Sequence, residues 1–168
     1  MIIAGFSGVG KTTFAKTHQN VIDLHVMPYK YTNLNEVNNK YNDESIKAAS
    51  DLMLNPDWRY NYYDKLISLY KSDPNKIIVI PTDIQIMNWL AYEEITFTLV
   101  FPSYDLKEEY RNRYLERGNT EAFIDIFINN WDHWIGMFKL QKGCKKIELK
   151  TNEYLSDVIN FKGDMCDA

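Results

Sequence analysis

The chain of 168 residues has few cysteines, few prolines and no long apolar run. Its two cysteines, Cys144 and Cys166, are too few and too irregularly spaced for a disulfide framework or a zinc site, so we expect reduced thiols. No uninterrupted apolar stretch reaches the length of a transmembrane helix. The apolar start at residues 1–4 is too short for a signal peptide. The length predicts a single domain, residues 1–168, and these absences predict a cytoplasmic protein.

Positive charge is also scarce. The net charge of −4 gives no general attraction to nucleic acid, which argues against a sequence-independent DNA-binding protein. The histidines at positions 18, 25 and 133 do not have the spacing of a metal site. With 45% hydrophobic residues, the chain can bury a sizeable core.

Short apolar runs alternate with helical patterns, which is typical of a parallel sheet covered on both faces. Strands are predicted at 1–4, 21–26, 76–82, 95–102 and 145–149. Helices are predicted at 11–18, 44–54, 56–72, 84–93, 105–117, 120–141 and 153–161. We expect a loop at 27–43 and a frayed tail at 162–168. The interval 27–75 is long for a crossover and predicts a small helical insertion at the edge of the sheet.

Residues 5–12, GFSGVGKT, match the phosphate-loop pattern G-x-x-x-x-G-K-[ST] at every fixed position. They lie between a predicted strand and a predicted helix, where glycines let backbone N–H groups turn inward toward an anion. The residues predicted to bind ATP are Ser7, Gly8, Val9, Gly10, Lys11, Thr12 and Thr13. Lys11 is expected at the β- and γ-phosphates and the Thr12 hydroxyl at Mg²⁺. A glycine-rich turn that binds nothing is the alternative.

Arginine is rare in this chain and unevenly placed. Three of the four arginines lie in YRNRYLERG, and Arg113 and Arg117 are four residues apart on one predicted helix face. Because arginine suits two-pronged binding of phosphate, this pair is predicted to stabilise a transferring phosphoryl group. The alternative is a helix surface on which Glu109 pairs with Arg113.

The acceptor side is predicted from residues near strand ends and in the insertion. Asp23 lies in the second predicted strand, beside the expected mouth of the phosphate loop. An aspartate there resembles the one that small-molecule and polynucleotide kinases use as a base for the acceptor hydroxyl or as a Mg²⁺ ligand through water, and an ordinary strand-end or turn residue is the alternative. Asp83 ends the third strand and is expected to reach Mg²⁺ through water. Arg59, among the rings of WRYNYY, is expected to bind an acceptor phosphate, with Tyr31 and Tyr62 as further acceptor-binding candidates. An aromatic helix face packed on the core is the alternative for the rings.

The phosphate loop, a strand ending near a proline and a helix with spaced arginines resemble the nucleoside monophosphate kinases of the P-loop group. The similarity is to the small adenylate-kinase-like proteins of bacteria and their phages. Their pattern L-x-x-P…L-x-x-R-x-x-x-R resembles LVFPSYDLKEEYRNRYLERG in this chain. The third predicted strand departs from the family, since it ends IPTD rather than Asp-Gly-x-Pro-Arg.

The resemblance implies a three-layer α/β/α fold of the P-loop kinase type with a five-stranded parallel sheet in the order 2-3-1-4-5. It implies a substrate-binding insertion at 27–75 and a short lid at 104–119. It also implies the cytosol of a bacterium or of an infected host as the location.

The main functional prediction is ATP-dependent phosphoryl transfer to a nucleoside or deoxynucleoside monophosphate, with ATP and Mg²⁺ as cofactors. Lys11, Arg113, Arg117 and Asp23 are the predicted catalytic residues. One alternative is a kinase of a hydroxyl acceptor, either a small metabolite or a polynucleotide 5′ end, which would need Asp23 as base. The other alternative is an ATP-binding regulator without kinase activity. No membrane partner is expected, and no nucleic acid other than such a polynucleotide end.

Overall fold

The computed structural model describes residues 1–35 and 52–159. Its strands are β1 Ile2–Gly5, β2 Val21–Asp23, β3 Ile77–Pro81, β4 Phe97–Pro102 and β5 Cys144–Leu149. Its helices are α1 Lys11–Thr17, α2 Met27–Lys30, α3 Trp58–Ser72, α4 Ile84–Tyr92, α5 Lys107–Glu116, α6 Glu121–Asn129, α7 Trp131–Leu140 and α8 Leu155–Val158. A 3-10 turn, Tyr104–Leu106, leads into α5.

The five strands form one parallel sheet in the order β2-β3-β1-β4-β5. This confirms the predicted α/β class and the predicted strand order. The inner strands β1 and β4 are buried along their whole length, as continuous apolar runs require. Because all strands are parallel, their carboxyl ends meet at one edge, where ligands bind in open α/β sheets.

An aromatic cluster fixes the turn that follows β1. The ring of Phe6, the first residue after that strand, is central to it. Five rings from α5, α6 and α7 have centroids 5.4–6.2 Å from the Phe6 centroid: Tyr110, Phe127, Trp131, Trp134 and Phe138. Most of these contacts are edge-to-face, the arrangement that aromatic rings prefer. The cluster therefore ties the start of the glycine-rich turn to three helices.

The helix predicted at 120–141 is in fact two helices, α6 and α7, which meet at Asn130. The Asn130 side chain donates to Ile126 O at 2.7 Å, a local bond that competes with helix continuation. The first residue of α7, Trp131, donates its indole N–H to Tyr104 O at 2.9 Å. Helical periodicity alone did not show this break.

Other boundaries differ modestly from the prediction. The strand predicted at 21–26 is limited to Val21–Asp23, and the last helix to Leu155–Val158. The loop predicted at 27–43 contains the short helix α2. The helix predicted at 44–54 lies largely outside the described residues, as does the whole tail 162–168, while Leu54 pairs with Tyr31 as an isolated bridge.

Among the helices at 1–35 and 52–159, none combines the length and apolarity needed to cross a membrane.

Candidate functional site

The turn at residues 5–10 requires glycine at two positions. Gly8 and Gly10 have φ angles of 86° and 93°, where a β-carbon is strained. At Gly8 a β-carbon would also lie only 3.1 Å from Cε1 of Tyr114. The glycines predicted to shape a phosphate loop therefore have the conformation that such a loop needs.

Each backbone carbonyl of residues 5–10 accepts a hydrogen bond from the protein. The donors are Lys11 Nζ to Gly5 O and Phe6 O (2.8 and 2.9 Å), Tyr114 Oη to Ser7 O (3.0 Å), Arg113 Nη1 to Gly8 O (3.0 Å), Leu155 N–H to Val9 O (2.9 Å) and Phe14 N–H to Gly10 O (2.9 Å). All carbonyl oxygens of the turn are therefore engaged in hydrogen bonds with the protein.

The amide groups of the same turn show the opposite pattern. The N–H groups of Ser7, Gly8, Gly10, Thr12 and Thr13 have no acceptor within residues 1–35 and 52–159. Such N–H groups at a turn with positive φ form an anion-binding concavity. The turn can therefore donate several hydrogen bonds to one anion.

Thr12 and Asp23 bring two oxygens together beside the turn. The Thr12 hydroxyl donates to Asp23 Oδ2 at 2.8 Å, and His25 Nε2 lies 3.4 Å from the same oxygen. Asp23 is thus adjacent to the phosphate loop, although its chemical role stays a prediction. Mg²⁺ prefers oxygen ligands and is commonly held by one or two protein groups together with phosphates, so this pair fits that ion. Within the described ranges, no group of three or more His, Cys, Asp or Glu could hold a metal without such help.

A cavity of about 490 Å³ opens over the turn. Asp23, Arg113, Arg117 and Tyr154 line it together with the turn itself. Arg117 is exposed, whereas Tyr154 covers Gly10, where an added β-carbon would lie 3.3 Å from the ring. Tyr154 was missed in the sequence, because a single tyrosine between the last strand and the last helix carries no pattern.

Arg113 lies deeper than a surface lid residue would. It is only 7% exposed and pairs with the Glu109 carboxylate. Its guanidinium carbon lies 4.6 Å from the Tyr110 ring centroid and 4.0 Å from that of Tyr154. Helix α5, in the middle of the predicted lid 104–119, is therefore packed on the phosphate loop, and the phosphoryl-binding role of Arg113 stays a prediction.

A second cavity, of about 980 Å³, adjoins the first. The residues that line both are Ser7, Lys11, Asp23, His25 and Phe123. Lys30 and Arg59 line the second cavity near α2 and α3, and aromatic side chains of α6 and α7 also line it: Phe127, Trp134 and Phe138. A ligand there would have cationic and aromatic surroundings at once.

Arg59 and Asp83 are partners in the second cavity. Arg59 Nε lies 3.0 Å from Asp83 Oδ2, and the guanidinium carbon lies 4.5 Å from the centroid of Trp58. Asp83 also caps α4, since its Oδ1 accepts from the backbone N–H of Gln85 and Ile86, both at 3.1 Å. A water-mediated metal role of Asp83 stays a prediction, and the contacts observed are those of a helix cap.

The two predicted acceptor-binding tyrosines have different surroundings. Tyr62 is fully buried and its hydroxyl donates to Leu24 O at 2.7 Å, contacts that match the packing alternative, and its acceptor-binding role stays a prediction. Burial, assisted by the negative charge of Asp23, raises the pKa of Tyr62 far above its usual range. Tyr31 forms the bridge with Leu54, and its acceptor-binding role stays a prediction.

The fold and the site together define an α/β protein with a glycine-rich turn, whose amides can donate to an anion, at the carboxyl edge of a parallel sheet. No protein-family model matches the chain, and no curated protein matches its sequence.

Proposed function

We propose that the protein is a P-loop phosphotransferase that moves the γ-phosphoryl group of ATP to a nucleoside or deoxynucleoside monophosphate. The observation that carries this proposal is the turn at 5–10, whose carbonyls are bound by the protein while its amides line a cavity. The second cavity, with its cationic and aromatic lining, adjoins that turn.

On the ATP side, the amides of the turn donate to phosphate oxygens, which can only accept. Lys11 Nζ, bound to the carbonyls of the turn, lies at the boundary of both cavities. Arg117 adds a positive charge from the exposed end of α5. Thr12 and Asp23 would hold Mg²⁺, which supplies charge neutralisation at the β- and γ-phosphates.

On the acceptor side, the Arg59 guanidinium is oriented by its neighbours and can donate hydrogen bonds to an anion. Asp83 and Trp58 orient its guanidinium, and its two Nη groups have no hydrogen-bond partner in the described part of the chain. Lys30 lines the same cavity, as does the aromatic wall of α6 and α7. A nucleoside monophosphate matches this lining, because it has an anion at one end and a flat ring at the other.

A second candidate function is a kinase of a hydroxyl acceptor. Asp23 lines both cavities, so its carboxylate lies where donor and acceptor would meet. A carboxylate at that junction can accept the proton of an attacking hydroxyl. An acceptor phosphate, already ionised, needs no such base.

The test of the proposal is ADP release from ATP and Mg²⁺, first without acceptor and then with each ribo- and deoxyribonucleoside monophosphate. We expect strong stimulation by one or two monophosphates and a loss of about 10²–10³-fold in Lys11→Ala, because the cation stabilises developing phosphate charge. Lys16→Ala, an exposed lysine on the same helix, is the control and should keep full activity. A flat response to every monophosphate would overturn the proposal.

Asp23→Asn separates the two acceptor classes in the same assay. The amide oxygen can still accept from Thr12, so the local hydrogen bond is kept. The assay is run at saturating Mg²⁺, so that the weaker metal binding expected of an amide oxygen does not limit the rate. With a phosphate acceptor we then expect turnover within about tenfold of wild type, whereas a hydroxyl acceptor loses about 10²–10⁴-fold with its base. A loss in the second range would favour the hydroxyl kinase.

A further inference from the structure

We propose that Arg113 and Tyr114 are positioning residues, which hold the phosphate loop in its anion-binding conformation from α5. This rests on the proposed function, but it differs from the phosphoryl clamp that the sequence predicts for Arg113. Both residues act on the ligand through the backbone of the loop.

The geometry follows from the planarity of the peptide group. In a trans peptide the C=O of one residue and the N–H of the next point in opposite directions. The bond from Tyr114 Oη to Ser7 O therefore directs the Gly8 N–H away from α5. The bond from Arg113 to Gly8 O likewise directs the Val9 N–H away from α5, and this N–H closes the turn by donating to Phe6 O at 3.4 Å. Two adjacent peptide groups of the loop are thus oriented by two adjacent side chains.

Arg113 also contacts the segment that orients the next peptide group of the loop, between Val9 and Gly10. Its Nη2 donates to Glu153 O at 3.1 Å, two residues before the Leu155 N–H that binds Val9 O. By the same geometry, the bond at Val9 O orients the Gly10 N–H. The guanidinium therefore joins the loop to the segment that fixes its next amide.

The other contacts of Arg113 argue against a direct role in phosphoryl transfer. Its Nη2 also binds Glu109, whose Oε1 accepts the Asn152 N–H at 3.1 Å, and the rings of Tyr110 and Tyr154 contact the guanidinium. Three of the five guanidinium N–H donors of Arg113 are used in these bonds, and two rings contact the guanidinium. Moving the side chain toward a phosphoryl group would break buried, charge-assisted hydrogen bonds, which is costly. Arg117, one turn further on, is exposed, and its side chain makes no hydrogen bond or ion pair with the residues that the structure describes.

The test compares two variants, each with a matched control on the same helix. Arg113→Met is compared with Arg111→Met, since Arg111 is partly exposed and faces Glu108 at 3.8 Å. Tyr114→Phe is compared with Tyr110→Phe, because the Tyr110 hydroxyl has no hydrogen-bond partner in the described ranges. The first readout is the backbone ¹⁵N order parameter of Gly8 and Gly10, which needs no ligand. The second is the affinity for inorganic tripolyphosphate with Mg²⁺.

We expect the order parameters of Gly8 and Gly10 to fall from about 0.85 to below about 0.6 in Arg113→Met, with a smaller fall in Tyr114→Phe. Tripolyphosphate affinity should fall about tenfold or more in Arg113→Met and about fivefold in Tyr114→Phe, since charge-assisted bonds are the stronger ones. Both controls should match wild type. With ATP, kcat/KM should fall more than kcat.

Unchanged order parameters and tripolyphosphate affinity, with a large loss of kcat in Arg113→Met, would show a direct clamp and overturn the proposal. If Arg113→Met does not fold, the comparison of Tyr114→Phe with Tyr110→Phe decides. If wild type binds neither ATP nor tripolyphosphate, the proposed function fails, while the order parameters still report whether α5 holds the loop.

Discussion

Three glycines of this chain have three different surroundings. Gly8 has positive φ and lies against Tyr114, and Gly10 has positive φ under Tyr154. Gly136 lies inside α7, and among the described residues no heavy atom outside its own helix would come within 4 Å of a β-carbon there. The same residue type is thus required at two positions and replaceable at the third.

Gly8→Ala should destabilise the protein by about 1–2 kcal/mol, because an alanine at this φ is strained. It should also weaken tripolyphosphate binding, because a β-carbon 3.1 Å from the Tyr114 ring requires the ring or the loop to shift and the positive φ disfavours alanine. Urea denaturation and calorimetric titration measure the two effects.

Gly136→Ala is the matched control and should stabilise the protein by about 0.5–1 kcal/mol, the usual gain when alanine replaces glycine within a helix. A Gly8→Ala variant that is as stable as wild type and binds tripolyphosphate as tightly would contradict the conformation assigned to the loop.

Single residues also show the limits of pattern recognition. Asp23 was expected beside the phosphate loop, since a strand end in a parallel sheet has a known edge, and it lies there. Tyr62 was assigned to the acceptor from its neighbours in WRYNYY, yet the helix turns it into the core with Trp58 and Leu66. A cluster of aromatic residues in the sequence does not show which of their side chains face the core.

At the scale of elements, Asp83 connects two helices. It caps α4 with its Oδ1 and binds Arg59 of α3. The pair orients the Arg59 guanidinium at the second cavity, while α3 itself is held by its buried side chains, Trp58, Tyr62, Tyr63 and Leu66. The start of one helix therefore contributes to the lining of the second cavity.

Asp83→Ala should lower the free energy of unfolding by about 1–2 kcal/mol, because α4 loses its N-cap. Asp83→Asn keeps an oxygen that can accept from the amides of Gln85 and Ile86, so we expect a loss of less than about 1 kcal/mol. The ion pair with Arg59 adds little to the free energy of unfolding, since the Arg59 side chain is 40% exposed. Denaturant unfolding of both variants is the measurement, and equal losses would contradict the capping role.

At the scale of the whole molecule, buried tyrosines make the folding stability depend on pH in the alkaline range. Burial is the main cause that raises the pKa values of Tyr62, Tyr110 and Tyr114 above their usual range. Their neutral forms are favoured in the folded state, whereas the unfolded chain ionises near pH 10. Their contribution to stability is therefore complete below pH 10 and is lost as the pH rises through the folded-state values.

Stability should consequently fall steeply above pH 10, with each of these tyrosines contributing up to about 1.4 kcal/mol per pH unit. Replacing Tyr110 by Phe should reduce that slope by up to the same amount, because a phenyl ring has no proton to lose. The measurement is urea unfolding from pH 8 to 11.5 for wild type and variant. Identical slopes would show that Tyr110 ionises freely in the folded state.

The fold class, the strand order and the position of the glycine-rich turn were all predictable from the order of residues. Strand burial, helix starts and glycine-dependent turns are local, and each leaves a short pattern in the chain. The break at Asn130, the burial of Arg113 and the covering of Gly10 by Tyr154 were not predictable in this way. These features depend on contacts between residues far apart in the chain, such as Arg113 with Gly8 and Trp131 with Tyr104, and those contacts exist only once the helices are packed on the sheet.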